Sequence, residues 1–153
     1  MPHRRFRSVP DIIAFAVERE KEAAADYGRM AGLAKTSGLR EFLLFLRQEE
    51  ESHRRLLEEL TAEEIGGLAP AFVPDLRLID YLVEEKLTDD MSLQELLIFA
   101  AQKEKKSAEL YDTLARMAKA SGHHRVFEFL AGQERAHKLK IEAEYEKNVL
   151  QEN

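Results

Sequence analysis

The sequence contains no cysteine. That absence excludes disulfides, a thiolate nucleophile, Cys-ligated zinc and iron–sulfur or rubredoxin-type centres within these residues, so a bound metal would need oxygen and nitrogen ligands. Long apolar runs are missing too. The longest, such as IIAFAV from Ile12 and LLIFAA from Leu96, have six residues, whereas a membrane span needs about 20. The opening MPHRRFRS is basic, but Pro10, Asp11 and Glu18 interrupt the next stretch and leave no apolar region of a secretory signal. The expected protein is therefore untargeted and cytoplasmic, with no membrane partner. Positive charge is not in excess either: 23 Lys and Arg are mixed among 29 Asp and Glu, for a net charge of -6. No extended basic face is available to neutralise phosphates, which argues against nucleic acid as a partner.

What remains is 153 residues, 44% hydrophobic and 34% charged, the size and balance of a single domain over 1–153 that buries roughly two thirds of its unfolded surface. The chain repeats itself. Ser8 to Glu58 aligns without a gap on Ser92 to Glu142, each residue meeting the one 84 positions on, and about a third of the pairs are identical. The shared residues include Phe15/Phe99, Glu20/Glu104, Tyr27/Tyr111, Ser37/Ser121, Gly38/Gly122, Phe45/Phe129, Leu46/Leu130, Glu50/Glu134 and His53/His137. Repeats of this size set the fold.

Each half reads as a helical hairpin. Ser8 and Ser92 are expected N-caps, since Asp11 and Glu95 stand three residues later in capping-box order. Ile13, Ala16, Ala24, Tyr27, Ala31 and Ala34 then make an apolar stripe with helical spacing, and Glu20 sits inside it. The Ser37-Gly38 and Ser121-Gly122 pairs are expected helix stops. The return helices carry Phe42, Leu43, Leu46, Leu57 and Leu60, and Val126, Phe127, Leu130 and Ile141. Between the hairpins, Thr61 to Met91 holds Gly66, Gly67, Pro70 and Pro74, then a helix-compatible run from about Asp75 to Leu87. The expected fold is all-α: a ferritin-like four-helix bundle of two hairpins joined by a long crossover with a short extra helix, without strands.

Most acids on a helix belong to its solvated face. Glu20, Glu50, Glu104 and Glu134 differ because they fall on inward stripes, as do His53 and His137. Burying four carboxylates costs several kcal/mol apiece unless they are protonated, paired or bound to metal. Lys and Arg at positions such as Arg54, Arg55, Lys103 and Lys105 are expected off those stripes, which leaves metal as the partner. Glu-x-x-His places its two side chains on one helix face, about 4.5 Å apart along the axis. Two such pairs with two further core glutamates match the di-metal carboxylate set of helical bundles. Helix rise agrees: from Glu20 to about Lys35, and from Arg40 to His53, the chain climbs roughly 20 Å each way. Oxygen ligands with two imidazoles suit iron or manganese. His3, in a mobile start, and His123 and His124, at a turn, are expected to be solvated. Tyr27 and Tyr111 read either as core aromatics or as phenols serving a ligand carboxylate, two compatible roles.

The paired patterns FAVEREKEAAADY…FLRQEEESH and FAAQKEKKSAELY…FLAGQERAH resemble the rubrerythrin-like branch of the ferritin-like superfamily over nearly the whole chain. The resemblance implies two irons per chain, with Glu20 and Glu104 as terminal ligands, Glu50 and Glu134 as bridges, His53 and His137 completing one iron each, and Tyr27 and Tyr111 beside them. Manganese or zinc could take the same site. Two features depart from rubrerythrins: a rubredoxin domain is not expected within these residues, and Ser107 stands where they carry an extra glutamate. The ligand set is also similar to that of bacterioferritin, though the turns and the alanine-rich helices look more like rubrerythrin.

Three functions compete. The first is a di-iron oxidoreductase that reduces hydrogen peroxide, or more slowly dioxygen, with electrons from an external redox protein and with Tyr27 or Tyr111 as catalytic proton donor. The second is an iron-binding or ferroxidase protein that takes up or buffers iron without peroxidase turnover. The third is a structural bundle that keeps the motif without redox function. A homodimer is the default assembly, and the long crossover would permit hairpin exchange between subunits.

Overall fold

A computed structural model describes residues 9–60, 87–88, 90–118 and 123–148. They form four helices, α1 (Val9–Leu33), α2 (Ser37–Glu58), α3 (Leu93–Met117) and α4 (His124–Asn148), with no strand among the described residues. At the start of α3 the expected capping box is complete: Ser92 Oγ accepts from the Glu95 amide at 3.1 Å and Glu95 Oε1 accepts from the Ser92 amide at 3.2 Å. Ser8, Ser121, Gly122 and the expected crossover helix lie outside the described residues.

The turn between α1 and α2 corrects one expectation. Ser37 and Gly38 do not stop α1, which ends at Leu33; they are the first two residues of α2. Thr36 causes this. Its backbone is extended (φ -122°, ψ 151°) and its hydroxyl accepts from the Leu39 amide at 3.2 Å, which satisfies an amide left free in the first turn and nucleates α2 there.

Two apolar clusters set the chain directions. One joins Ile12 and Ile13 at the start of α1 with Leu57 late in α2, Leu110, Leu114 and Met117 late in α3, and Phe127 early in α4. The other joins Met30 and Ala31 late in α1 with Leu39 and Leu43 early in α2, Leu96 and Leu97 early in α3, and Ile141 late in α4. The helices of each hairpin are thus antiparallel, α1 runs against α3, and α2 runs in the same direction as α3. Parallel succession requires a connection from one end of the bundle to the other. Leu60 does pack against the first cluster while Leu87 is buried in the second, where the Arg29 guanidinium also donates to the Leu87 carbonyl at 3.3 Å. No helix among the described residues is long and apolar enough to cross a membrane.

Most of the expected stripes are inward. Ile13, Ala16, Ala24, Tyr27 and Ala31 are buried, as are Leu43, Leu46, Leu57, Phe127, Leu130 and Ile141, while Phe42, Leu60 and Val126 are half-buried. The matched pair Phe45 and Phe129 is exposed, and the Lys140 ammonium lies 5.2 Å from the Phe45 ring centre.

Candidate metal centre

Between the two apolar clusters, where both hairpins face each other, the interior turns polar. Glu20 comes from α1, Glu50 and His53 from α2, Glu104 from α3, and Glu134 and His137 from α4; none is more than 3% exposed. The spacing explains the register. Thirteen residues separate Glu20 from Leu33 and thirteen separate Ser37 from Glu50, so both stand about 20 Å from the same turn.

The distances repeat in pairs. His53 Nδ1 is 2.9 Å from Glu134 Oε1 and 3.6 Å from Glu20 Oε2; His137 Nδ1 is 2.9 Å from Glu50 Oε1 and 3.6 Å from Glu104 Oε2. The imidazoles stack with centres 5.7 Å apart and planes inclined by 12°. Glu20, Glu50, His53 and Glu134 each offer a ligand atom within 4.8 Å of the others, and so do Glu50, Glu104, Glu134 and His137. Glu50 and Glu134 belong to both groups.

These atoms converge, and apart from the hydrogen bond between His53 Nδ1 and Glu134 Oε1 they leave one another unsatisfied. Glu20 Oε2, Glu50 Oε1, Glu104 Oε2, Glu134 Oε2 and both ring nitrogens of His137 are buried without a hydrogen-bond partner. The 2.9 Å approach of His137 to Glu50 is close enough but lacks hydrogen-bond alignment. A buried polar atom left unpaired costs about 1–3 kcal/mol, more when charged, and here several lone pairs point into one space. A pair of divalent cations fits this donor set: carboxylate oxygen and imidazole nitrogen are borderline-to-hard ligands, and four carboxylates balance two double charges.

Burial and mutual repulsion shift the groups of the cluster unequally. Burial, then repulsion from Glu104, pushes Glu50 and Glu134 well above the usual carboxylate range. Burial would raise Glu20 too, but its nearness to Glu50 and His53, the charge of His53 and the hydrogen bond from Tyr111 outweigh that and hold it below the usual value. His53 is lowered by burial but raised more by Glu20, Glu104 and Glu49, for a net upward shift.

Tyr27 and Tyr111 are at once core aromatics and hydrogen-bond donors to carboxylates. They are buried among apolar side chains, Tyr27 in one cluster and Tyr111 in the other. Each also crosses between hairpins: Tyr27 donates to Glu104 and Tyr111 donates to Glu20 at 2.5 Å. Burial and the nearby carboxylates push both phenols well above their ordinary value, so they remain protonated donors.

Lys103 corrects a second expectation, since it is buried rather than off the inward face. Its ammonium lies 5.3 Å from the Phe99 ring centre and reaches α1, donating to Glu22 and standing 3.7 Å from Asp26. A long stem on apolar surface with its charge delivered to carboxylates makes that burial tolerable. Arg19, the matched position in α1, is also buried. Both line a small cavity at Glu104 and Tyr27, with Asp26 and Ser107. His123 and His124 are half-buried rather than solvated; His124 opens α4, and its Nδ1 is shielded from solvent. His3 lies outside the described residues. One close neighbour of the cluster escapes sequence reading altogether: Glu49 Oε1 is 3.8 Å from His137 Nε2. Its position directly before Glu50 in a run of three glutamates looks like solvated surface.

A family model described as Rubrerythrin matches residues 11–145. Among solved structures, a Thermotoga maritima protein described as a ferritin-like diiron-carboxylate protein is similar at TM-score 0.73 and 22% identity, covering 95% of this chain and 99% of its own. A hypothetical protein from Pyrococcus furiosus is similar at TM-score 0.69 and 24% identity, covering 91% of this chain and 89% of its own. Among curated proteins none matches the chain. The two solved structures share this chain's ferritin-like fold.

Proposed function

The chain belongs to the rubrerythrin family, and from that premise we propose that it is a non-haem di-iron oxidoreductase. It reduces hydrogen peroxide, or more slowly dioxygen, and draws electrons from a separate redox protein. The observation that carries this reading is the pair of buried Glu/His groups that share Glu50 and Glu134. Glu20, Glu50, Glu134 and His53 would hold one metal, and Glu50, Glu104, Glu134 and His137 the other. When bound, a pair of ferrous ions supplies the two electrons that convert peroxide and two protons into two waters.

The chain's own residues do the rest. Glu50 and Glu134 fix the two ligand groups side by side, and the stacked imidazoles fix the corners. Tyr27 and Tyr111 hold Glu104 and Glu20 in place and keep two phenolic protons at the edge of the cluster, where general-acid assistance to O–O cleavage needs them. The apolar clusters above and below exclude bulk water, which strengthens every one of these polar contacts.

Ser107 favours a second reading. It lines the cavity at Glu104 without offering a carboxylate there, which supports iron uptake or ferroxidase activity in place of peroxidase turnover. Anaerobic ferrous titration followed by separate additions of peroxide and oxygen distinguishes the two. Two irons per chain with fast oxidation by peroxide is the expected result; oxidation by oxygen alone supports the second reading, and failure to bind two metals overturns both.

A further inference from the structure

The two ligand groups match in their inner distances, yet they differ behind the imidazoles. His137 turns Nδ1 toward Glu50 and Glu104, which leaves Nε2 on the outer side of the ring. That nitrogen is buried and without a hydrogen-bond partner. Among the described residues, the one carboxylate within 4.0 Å of it is Glu49, with Oε1 at 3.8 Å. If Nδ1 gives its lone pair to a metal, Nε2 must carry the proton, and a buried N–H needs an acceptor.

Glu49 is placed to be that acceptor. Its side chain is 31% exposed and lies at the edge of a groove of about 320 Å³ between α2 and α4, lined also by Ser52, His53, Phe129 and Gln133. A gap of 3.8 Å is too long for a hydrogen bond, but a small rotation of a carboxylate with open space beside it, or one bridging water, closes it.

In the other half the pattern breaks. The residue 84 positions after Glu49 is Gln133, and it lines the same groove beside His53. The described residues place no carboxylate within 4.0 Å of His53 Nε2; all its close carboxylates face Nδ1. A carboxylate behind a ligating imidazole locks the ring and increases the basicity of the ligating nitrogen, whereas a neutral amide does so less.

Resting on the dinuclear reading above, we propose that Glu49 is a positioning residue that backs His137 through Nε2 and makes the two metal sites unequal, the site built on His137 filling first. Replacing such an outer partner costs about 10–100-fold in metal affinity. The test is titration of the metal-free protein with cobalt(II), whose visible absorption reports each occupied site. The unaltered chain should take up two ions in two resolved steps. Glu49→Gln should weaken the tighter step about 10–100-fold and the weaker one far less, and Glu49→Asp should restore part of the loss. Gln133→Glu should tighten the weaker step instead. A single unresolved step in the unaltered chain, or a Glu49→Gln titration that superimposes on it or weakens both steps equally, overturns the inference while leaving a two-metal centre standing. A chain that holds fewer than two ions at saturation overturns the dinuclear reading and this inference with it.

Discussion

Tyr111 on α3 donates a 2.5 Å hydrogen bond to Glu20 on α1, so a phenol of one hairpin holds a carboxylate of the other. Tyr27 does the same for Glu104 in the opposite sense. Each contact joins the two halves at the polar layer, where apolar packing is interrupted. Replacing Tyr111 by Phe leaves a buried carboxylate short of a donor and should cost about 1–3 kcal/mol of stability. Urea denaturation of the metal-free protein measures it; Tyr27→Phe should behave alike, and both should slow peroxide-driven oxidation of the loaded protein.

Glu50 and Glu134 are the carboxylates common to both ligand groups. Replacing either by Ala should abolish binding of a metal pair, read as metal per chain after loading and dialysis. Glu58→Ala is the control: its side chain is 44% exposed and pairs with Arg54, and stoichiometry should stay at two. Equal loss from both changes would contradict the ligand assignment.

The pH dependence has a definite sign. Glu50, Glu134 and His53 all have folded values raised above their ordinary ones. Each therefore contributes stability that is complete below its unfolded value and is lost as pH rises through its folded value. Glu20 is lowered, so its contribution is lost only on the acid side. As pH rises from the ordinary carboxylate range through neutrality, the metal-free protein should lose thermal stability. Metal loading runs the other way. Protons must leave the cluster as cations enter, so affinity should rise with pH over the same window, and calorimetry in two buffers should show protons released.

Lys103 ties α3 to Glu22 and Asp26 of α1 beside the cluster. Burial already raises Asp26, and the lysine opposes that rise. Lys103→Met keeps the stem on Phe99 but removes the charge. A loss of about 1–2 kcal/mol is expected, less than for a fully buried pair because Glu22 is half exposed. Chemical denaturation checks this, with metal stoichiometry unchanged.

Thr36→Ala should cost about 1 kcal/mol by removing the cap of α2, while Ser37→Ala should cost far less. A reversal of that order in thermal melts would overturn the capping role of Thr36.

The layout of the bundle and the six inward Glu and His residues are legible in the sequence because period and repeat reinforce each other. An acid on an apolar stripe is conspicuous once, and four at matched positions with two histidines cannot be surface. The turn is not legible, because Ser-Gly suits a helix end as well as a first turn, and the deciding bond runs from Thr36 to an amide three residues on. Lys103 is hidden for another reason. Helical spacing gives the direction of Cβ, but a long side chain can fold back across Phe99 to carboxylates on a neighbouring helix, which spacing along one helix does not encode. Glu49 is hidden in the same way, since its relation to His137 exists only after α2 and α4 are packed.

Neither hairpin owns a whole cage: the group around His53 borrows Glu134, and the group around His137 borrows Glu50. A chain severed between residues 60 and 87 would yield two fragments, each carrying three members of one coordination set and one of the other. Reassembly of those fragments should then be driven by metal, with the ions serving as the clasp that covalent continuity normally replaces.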